Sequence, residues 1–169
     1  KSRSQMSGNP HANSFRKLVL GKLTFTAFLL KDLPMAFIAG IRVREMTDEK
    51  TVVTIPYKWL TKNPFRSMYF ACLSMAAELS TGVTCRAAVY KRSPSVTTLV
   101  LGIEGDFTKK AVGLLTFTCR EGHLIDAAVQ RSIDTGEAQT VKVKSVGTDQ
   151  QGEEVATFYF TWSFKQRSK

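Results

Sequence analysis

The stretch "NPFRSMYFACLSMAAELSTG", residues 63–82, decides the fold. Its spacing predicts a helix over roughly residues 65–81, opened by Asn63-Pro64 and closed by Gly82 as its C-cap. The residues are apolar on nearly every side, and such a helix must be buried nearly all round. One carboxylate, Glu78, stands inside it. Helical geometry puts Ala71, Ser74, Met75 and Glu78 on one face. A buried, unpaired carboxylate is costly. Glu78 therefore needs a partner, a cleft or a raised pKa, and a raised pKa suits a general base working near neutral pH. A Glu satisfied across a dimer interface, or wetted near the helix end, meets the same requirement without chemistry.

Working outward, strands flank this helix on both sides. Ile41 and Val43 alternate with Arg42 and Arg44, "TDEK" turns, and "TVVTIPY" returns, which makes a hairpin. Downstream come "VTTLVLGIEGDF" (96–107), "LLTFTCR", a short helix over 122–134, "AQTVKVKSV", a turn over 147–152, and "VATFYFTWSFK". The last strand puts Phe158, Phe160, Trp162 and Phe164 on one face. Upstream, residues 13–31 read as one amphipathic helix that stops at Leu33-Pro34. It is expected to dock on the domain and stay out of the bilayer, with Leu18, Leu23, Phe25 and Leu30 mostly buried. Residues 1–10 read as a flexible leader and 11–169 as a single domain. A sheet can bury a helix that is apolar all round only by curling about it. The expectation is an α+β chain in the hotdog arrangement: an antiparallel sheet wrapped around a long central helix, with an extra N-terminal helix.

Composition narrows the function. The formal net charge is +10, which suits anionic partners without choosing among them. The bases are scattered, and no helix-turn-helix or RNA-binding aromatic motif occurs, so nucleic acid is not an expected partner. Cys72, Cys85 and Cys119 form no C-x-x-C pair, which fits a reducing, cytoplasmic compartment. Two histidines, His11 and His123, argue against a His-rich metal site and against a His-based triad. The apolar run 18–30 is interrupted by Lys22 and is too short to span a bilayer, so no stable membrane insertion is expected.

Asn63 precedes the helix, Tyr69-Phe70-Ala71 stands in its N-terminal part, and Glu78 follows Tyr69 by nine residues. With "DFTKKAVG" (106–113), "FTWSFKQR" (160–167) and the order of elements, residues 12–167 resemble the thioesterase-like hotdog family of the phenylacetate-type acyl-CoA thioesterase superfamily. A bacterial subgroup is nearest. The family pattern is Asn, then His-Gly-Gly, then an acid nine residues after the His; here Tyr69-Phe70-Ala71 occupies the His-Gly-Gly place. The resemblance implies hydrolysis of acyl-CoA or acyl-carrier thioesters, with no cofactor beyond the CoA of the substrate. It implies a catalytic set of Glu78, Asn63 and Ser74, and substrate contacts from Tyr69, Phe70, Ala71, Lys109 and Lys110. The amides of Phe70 and Ala71 would meet the carbonyl oxygen, and the lysines the CoA phosphates. It also implies a homodimer joined sheet edge to sheet edge with the site at the seam; whether dimers pair further stays open. Loss of His-Gly-Gly keeps a second reading beside it, a non-catalytic acyl- or acyl-CoA-binding or regulatory module. Residue by residue, helix capping by Asn63, a back-bond from Ser74 to the carbonyl of residue 70, and a solvated turn at the lysines also stand.

Overall fold

The computed structural model describes residues 8–167. Three short helices lead: α1 (Ala12–Leu20), α2 (Lys22–Asp32) and α3 (Pro34–Ala39). The hairpin β1 (Arg42–Met46) and β2 (Thr51–Pro56) follows, then a 3₁₀ turn (Trp59–Thr61) and the long helix α4 (Phe70–Val89). The rest is β3 (Val96–Phe107), β4 (Leu114–Cys119), α5 (Gly122–Thr135), β5 (Gln139–Thr148) and β6 (Glu154–Gln166). The strands form one antiparallel sheet in the order β1-β2-β4-β5-β6-β3. Alternation fixes its inner face. Leu115 and Phe117 of β4, Val143 of β5, and Phe158, Phe160 and Phe164 of β6 are all buried. α4 packs against β2, β3, β4, β5 and β6. This is the hotdog arrangement that the all-round apolar helix required.

Small residues bring α4 close to the sheet. Ala76, Ala77, Ser80 and Thr81 are fully buried. Their hydroxyl groups find partners across the gap, as buried polar atoms must. Ser80 Oγ and Ser145 Oγ lie 2.7 Å apart, and Trp162 Nε1 donates to Thr81 Oγ1 at 3.1 Å. The sheet makes room in turn: a Cβ on Gly147 would stand 2.4 Å from Cε1 of Phe117, so only glycine lets that ring lie across β5.

α4 begins and ends later than its sequence suggests. Residues 63–68 form a loop, with Arg66 in the left-handed region at φ 59°. Gly82 is no cap: the helix continues to Val89, because Val83, Cys85, Ala87 and Ala88 have a core to enter. Tertiary burial there outweighs the ~1 kcal/mol helix penalty of glycine. The far end is held by Asn9, whose Nδ2 donates to the carbonyls of Ala87 at 2.8 Å and Tyr90 at 2.6 Å. Asn9 falls in the stretch read as a flexible leader, yet it is buried; residues 1–7 of that stretch lie outside the described residues.

The predicted helix over 13–31 is two helices that part at Gly21, where the backbone is extended. Each buries an i, i+4 pair: Phe15 and Val19 in α1, Phe25 and Leu29 in α2. Two such narrow stripes cannot bury every leucine. Leu18, Leu23 and Leu30 are exposed, against expectation, and Phe25 alone of the four named side chains is buried. Phe15 packs on Tyr90 with ring centroids 5.2 Å apart, which seats α1 against the end of α4. At the sheet margin, β3 pairs only with β6 among the described strands, and its Leu99, Leu101, Ile103 and Phe107 are exposed.

Ala77→Leu should cost about 1–3 kcal/mol, the usual penalty for overpacking a tight core. The same change at exposed Ala127 of α5 should stay within about 0.5 kcal/mol of the parent. Urea unfolding of both variants beside the parent checks the expectation.

Candidate functional site

One stripe of α4 is left uncovered by the strands. It runs through partly exposed Ala71, Ser74, Met75, Glu78 and Gly82 to exposed Arg86. One cavity opens over the C-terminal half of this stripe, and another lies beyond it at the start of α4.

The first cavity, of about 410 Å³, lies over the C-terminal half and is lined by Glu78, Gly82, Arg86, Trp162, Phe28 and Arg167 among others. The Glu78 carboxylate forms no ion pair and no side-chain hydrogen bond with another described residue. Burial pushes its pKa above the ordinary 4.5. Gly82 explains how the carboxylate fits: a Cβ there would stand 2.7 Å from Glu78 Oε1. The glycine that sequence reads as a helix stop instead clears a seat for the acid one turn away.

The second cavity, of about 590 Å³, lies at the N-terminal end of α4 and is lined by Asn63, Tyr69, Phe70, Leu73, Lys109 and Lys110 among others. Tyr69 is the N-cap but provides no side-chain cap. The N–H groups of Phe70 and Ala71 find no acceptor among the described residues. They are two of the donors that a helix start always leaves over, at the positive end of the helix dipole.

The structure sorts the expected site residues. Asn63, Tyr69, Phe70, Lys109 and Lys110 come together in the second cavity; Glu78 lines the first; Ser74 and Ala71 lie on the stripe between and line neither. Asn63 does not cap α4. Its Oδ1 accepts from the N–H groups of Phe65 at 2.9 Å and Ser67 at 3.2 Å, and its Nδ2 donates to Ser67 Oγ at 3.1 Å. Its side chain is spent on shaping the loop. Lys109 is also engaged, with Asp149 at 2.7 Å and with Glu153. Those carboxylates raise its pKa, and they compete with any phosphate. Lys110 reaches only the carbonyl of Phe65, at 3.3 Å. The three cysteines are buried and free. Burial raises the thiol of Cys72 and pushes that of Cys119 up to about 11, which keeps both protonated and unreactive. Among the described residues no cluster could hold a metal ion. Sequence reasoning missed Trp162, Phe28 and Arg86 as cavity walls, because their meeting depends on how β6 and α2 lie over α4.

Residues 21–164 match the family model described as "Domain of unknown function (DUF4442)". The chain belongs to the DUF4442 family. No curated protein matches it in sequence. Solved structures share the fold of this DUF4442 chain. A Pseudomonas aeruginosa protein of unknown function, described as a probable thioesterase, aligns at TM-score 0.73 with 19% identity, over 95% of this chain and 98% of its own. A mutant thioesterase from the same organism aligns at 0.67 with 14% identity, over 86% and 94%. A Haemophilus influenzae thioesterase aligns at 0.65 with 13% identity, over 85% and 90%. At such identities the likeness establishes the hotdog fold.

The Glu78 carboxyl makes a stability prediction for the DUF4442 chain. A carboxyl with a raised folded-state pKa holds its proton longer folded than unfolded. Its contribution is therefore most favourable below the ordinary 4.5 and is lost as pH rises through the raised value. Glu78→Gln should be more stable than the parent at neutral pH, and the gap should close as pH falls toward 4.5. Urea titrations of both proteins over a pH series check the sign.

Proposed function

We infer that the chain is a thioesterase that hydrolyses acyl-CoA or acyl-carrier thioesters in a site shared between two copies. The observation that carries the reading is the Glu78 carboxylate: unpaired among the described residues, raised in pKa by burial, and facing a cavity that sets apolar walls beside Arg86 and Arg167. These are the properties of a general base held for a water molecule. Glu78 would take a proton from water while the water oxygen adds to the thioester carbonyl carbon. The carbonyl oxygen gains charge and needs donors, for which the free N–H groups of Phe70 and Ala71 are suited. The C–S bond then breaks, and the thiolate leaves and takes up a proton, giving an acid and a thiol.

Geometry argues against one chain doing both jobs. Phe70 and Glu78 are eight residues apart, roughly 12 Å along the helix axis, whereas base and donors must both lie near one carbonyl. The edge strand offers a solution. The Glu78 cavity is lined by Val96, Thr97 and Thr98 at one end of β3, and the helix-start cavity by Phe107 at the other. If β3 pairs antiparallel with β3 of a second copy about its midpoint, each Glu78 cavity meets the partner's helix start. The pairing would also cover Leu99, Leu101 and Ile103, an apolar edge otherwise open to aggregation. Lys110 is better placed for a CoA phosphate than Lys109, and Asn63 acts by holding the loop.

One observation favours the second reading, a non-catalytic acyl-binding module. Tyr69 and Phe70 stack edge to face 5.0 Å apart at the helix start, where the thioesterase pattern the sequence resembles has His and Gly. A panel of acyl-CoA esters assayed by thiol release separates the readings. Hydrolysis of at least one chain length, falling about 10²- to 10⁴-fold in Glu78→Gln, supports the enzyme. Parent turnover no faster than the variant's on every ester, with acyl-CoA still bound, establishes the module instead.

The shared site has its own test. Antiparallel pairing about the midpoint sets Thr97 beside the partner's Asp106. A chain carrying both Thr97→Cys and Asp106→Cys should be linked into dimers by a short bis-maleimide. Either change alone should not, since like positions would lie about 30 Å apart at the strand rise. Light scattering that shows a monomer at micromolar concentration would sink the shared site.

A further inference from the structure

The outer side of the N-terminal helices carries apolar side chains that the fold does not use. Leu23 of α2 is 85% exposed, and Leu30 of the same helix, with Met35 and Ile38 of α3, is exposed as well. Only Leu33 separates α2 from α3. Beyond α3 the surface continues, because Lys58 Nζ donates to the Ile38 carbonyl at 2.7 Å and brings the 3₁₀ turn alongside. That turn presents Trp59, 75% exposed, and exposed Leu60.

The turn is built to hold these side chains outward. Its third residue, Thr61, is fully buried, and its hydroxyl accepts from the Lys58 N–H at 2.9 Å and donates to the Pro56 carbonyl at 3.0 Å. A rigid, hydrogen-bonded turn with its anchor inside and a tryptophan outside is not a loop that failed to find the core.

The charges around these side chains identify what they meet. Leu23, Leu30, Trp59 and Phe65 each have a Lys or Arg as next neighbour in the chain: Lys22, Lys31, Lys58 and Arg66. Residues 22–39 and 57–67 together hold five Lys or Arg and one acid, Asp32. Cations interleaved with apolar side chains suit a layer of phosphates over hydrocarbon. Long basic stems reach up to the phosphates while leucines and an indole enter the acyl boundary. Among the described residues no helix is long and apolar enough to cross a membrane, so contact would be with the surface only.

We propose that the face formed by α2, α3 and the Trp59–Thr61 turn docks the protein on anionic phospholipid bilayers. Leu23, Leu30, Trp59 and Leu60 insert at the interface, and Lys22, Lys31 and Lys62 contact the headgroups. α2 with Phe28, and Leu33 after it, wall the Glu78 cavity, so the membrane-facing segment also borders the acyl pocket. Delivery of an acyl chain along that path rests on the thioesterase reading; docking does not, since it is measured without substrate.

The test uses the full chain with vesicles of phosphatidylcholine alone and of phosphatidylcholine with an equal part of phosphatidylglycerol. Flotation measures binding, and tryptophan emission reports depth. The second tryptophan, Trp162, is buried in the core, so a vesicle-induced blue shift reports Trp59. Binding to the anionic vesicles alone, a blue shift, and release by salt are expected. Trp59→Ser with Leu23→Ser and Leu30→Ser should weaken binding at least tenfold, and so should Lys22→Glu with Lys31→Glu and Lys62→Glu. All these positions are solvent-facing, so melting temperature and oligomeric state should not change. Three results would each overturn the proposal: a parent that stays unbound, apolar variants that bind as tightly as the parent, or apolar variants that change oligomeric state. The last would mark the face as an interface between copies.

Discussion

The close approach of α4 to the inner face of the sheet is the contact on which the molecule depends. A helix and a sheet can come this near only if one side gives up bulk. Here α4 does so with Ala76, Ala77, Ser80 and Thr81, while the sheet supplies the large rings of Phe117, Phe158 and Phe160. Because alanine and serine bury little area each, α4 gains its hold by being covered along its length from many strands at once. The hydroxyl contacts of Ser80 with Ser145 and of Thr81 with Trp162 then fix which turn of α4 lies over which strand. That register decides which residues the strands leave uncovered, and Glu78 and Gly82 are among them. The position of the acid is thus a consequence of packing on the opposite side of the helix.

Much of this was legible in the sequence because it rests on periodicity. β3 begins and ends where its sequence suggested, and the short helix over 122–134 differs from α5 by one residue. The face shared by Ala71, Ser74, Met75 and Glu78 is the uncovered stripe of α4. Errors arose where one residue admits two local roles and tertiary contacts choose. Gly82 fits a C-cap or a seat for a neighbouring carboxylate. Gly21 fits a tolerated helix interior or a break, and the break turned Leu18, Leu23 and Leu30 outward. Asn is a favoured helix N-cap and equally a turn residue; here Pro64 and left-handed Arg66 lead the chain around the Asn63 side chain, and α4 starts later.

The split of the expected site into two cavities could not be read from spacing. A distance of nine residues between Tyr69 and Glu78 marks a family pattern, but on a helix it also places the two groups more than two turns apart. A sequence motif lists parts of a site without saying that one chain assembles them. Only the fold shows that both parts border the same edge strand, one at each end.

Several features of the isolated chain run against its own stability. Glu78 is a partly buried carboxylate without a partner among the described residues, the start of α4 lacks a side-chain cap, and β3 leaves an apolar edge open. Local choices that conflict with folding are expected at sites kept for function, and these three lie together along the uncovered stripe and its bordering strand. The exposed leucines of α2 and the outward indole of Trp59 belong to another side, beyond the helices that wall the Glu78 cavity. The two sides differ in chemistry. The first combines a self-complementary strand with an acid and free N–H groups, features that a second copy can complete. The second combines apolar side chains with cations, on a chain of formal net charge +10, features that an anionic surface complements. Charge therefore separates a face suited to self-association from one suited to an anionic surface, and α2, with Phe28 turned inward and Leu30 turned outward, stands between them.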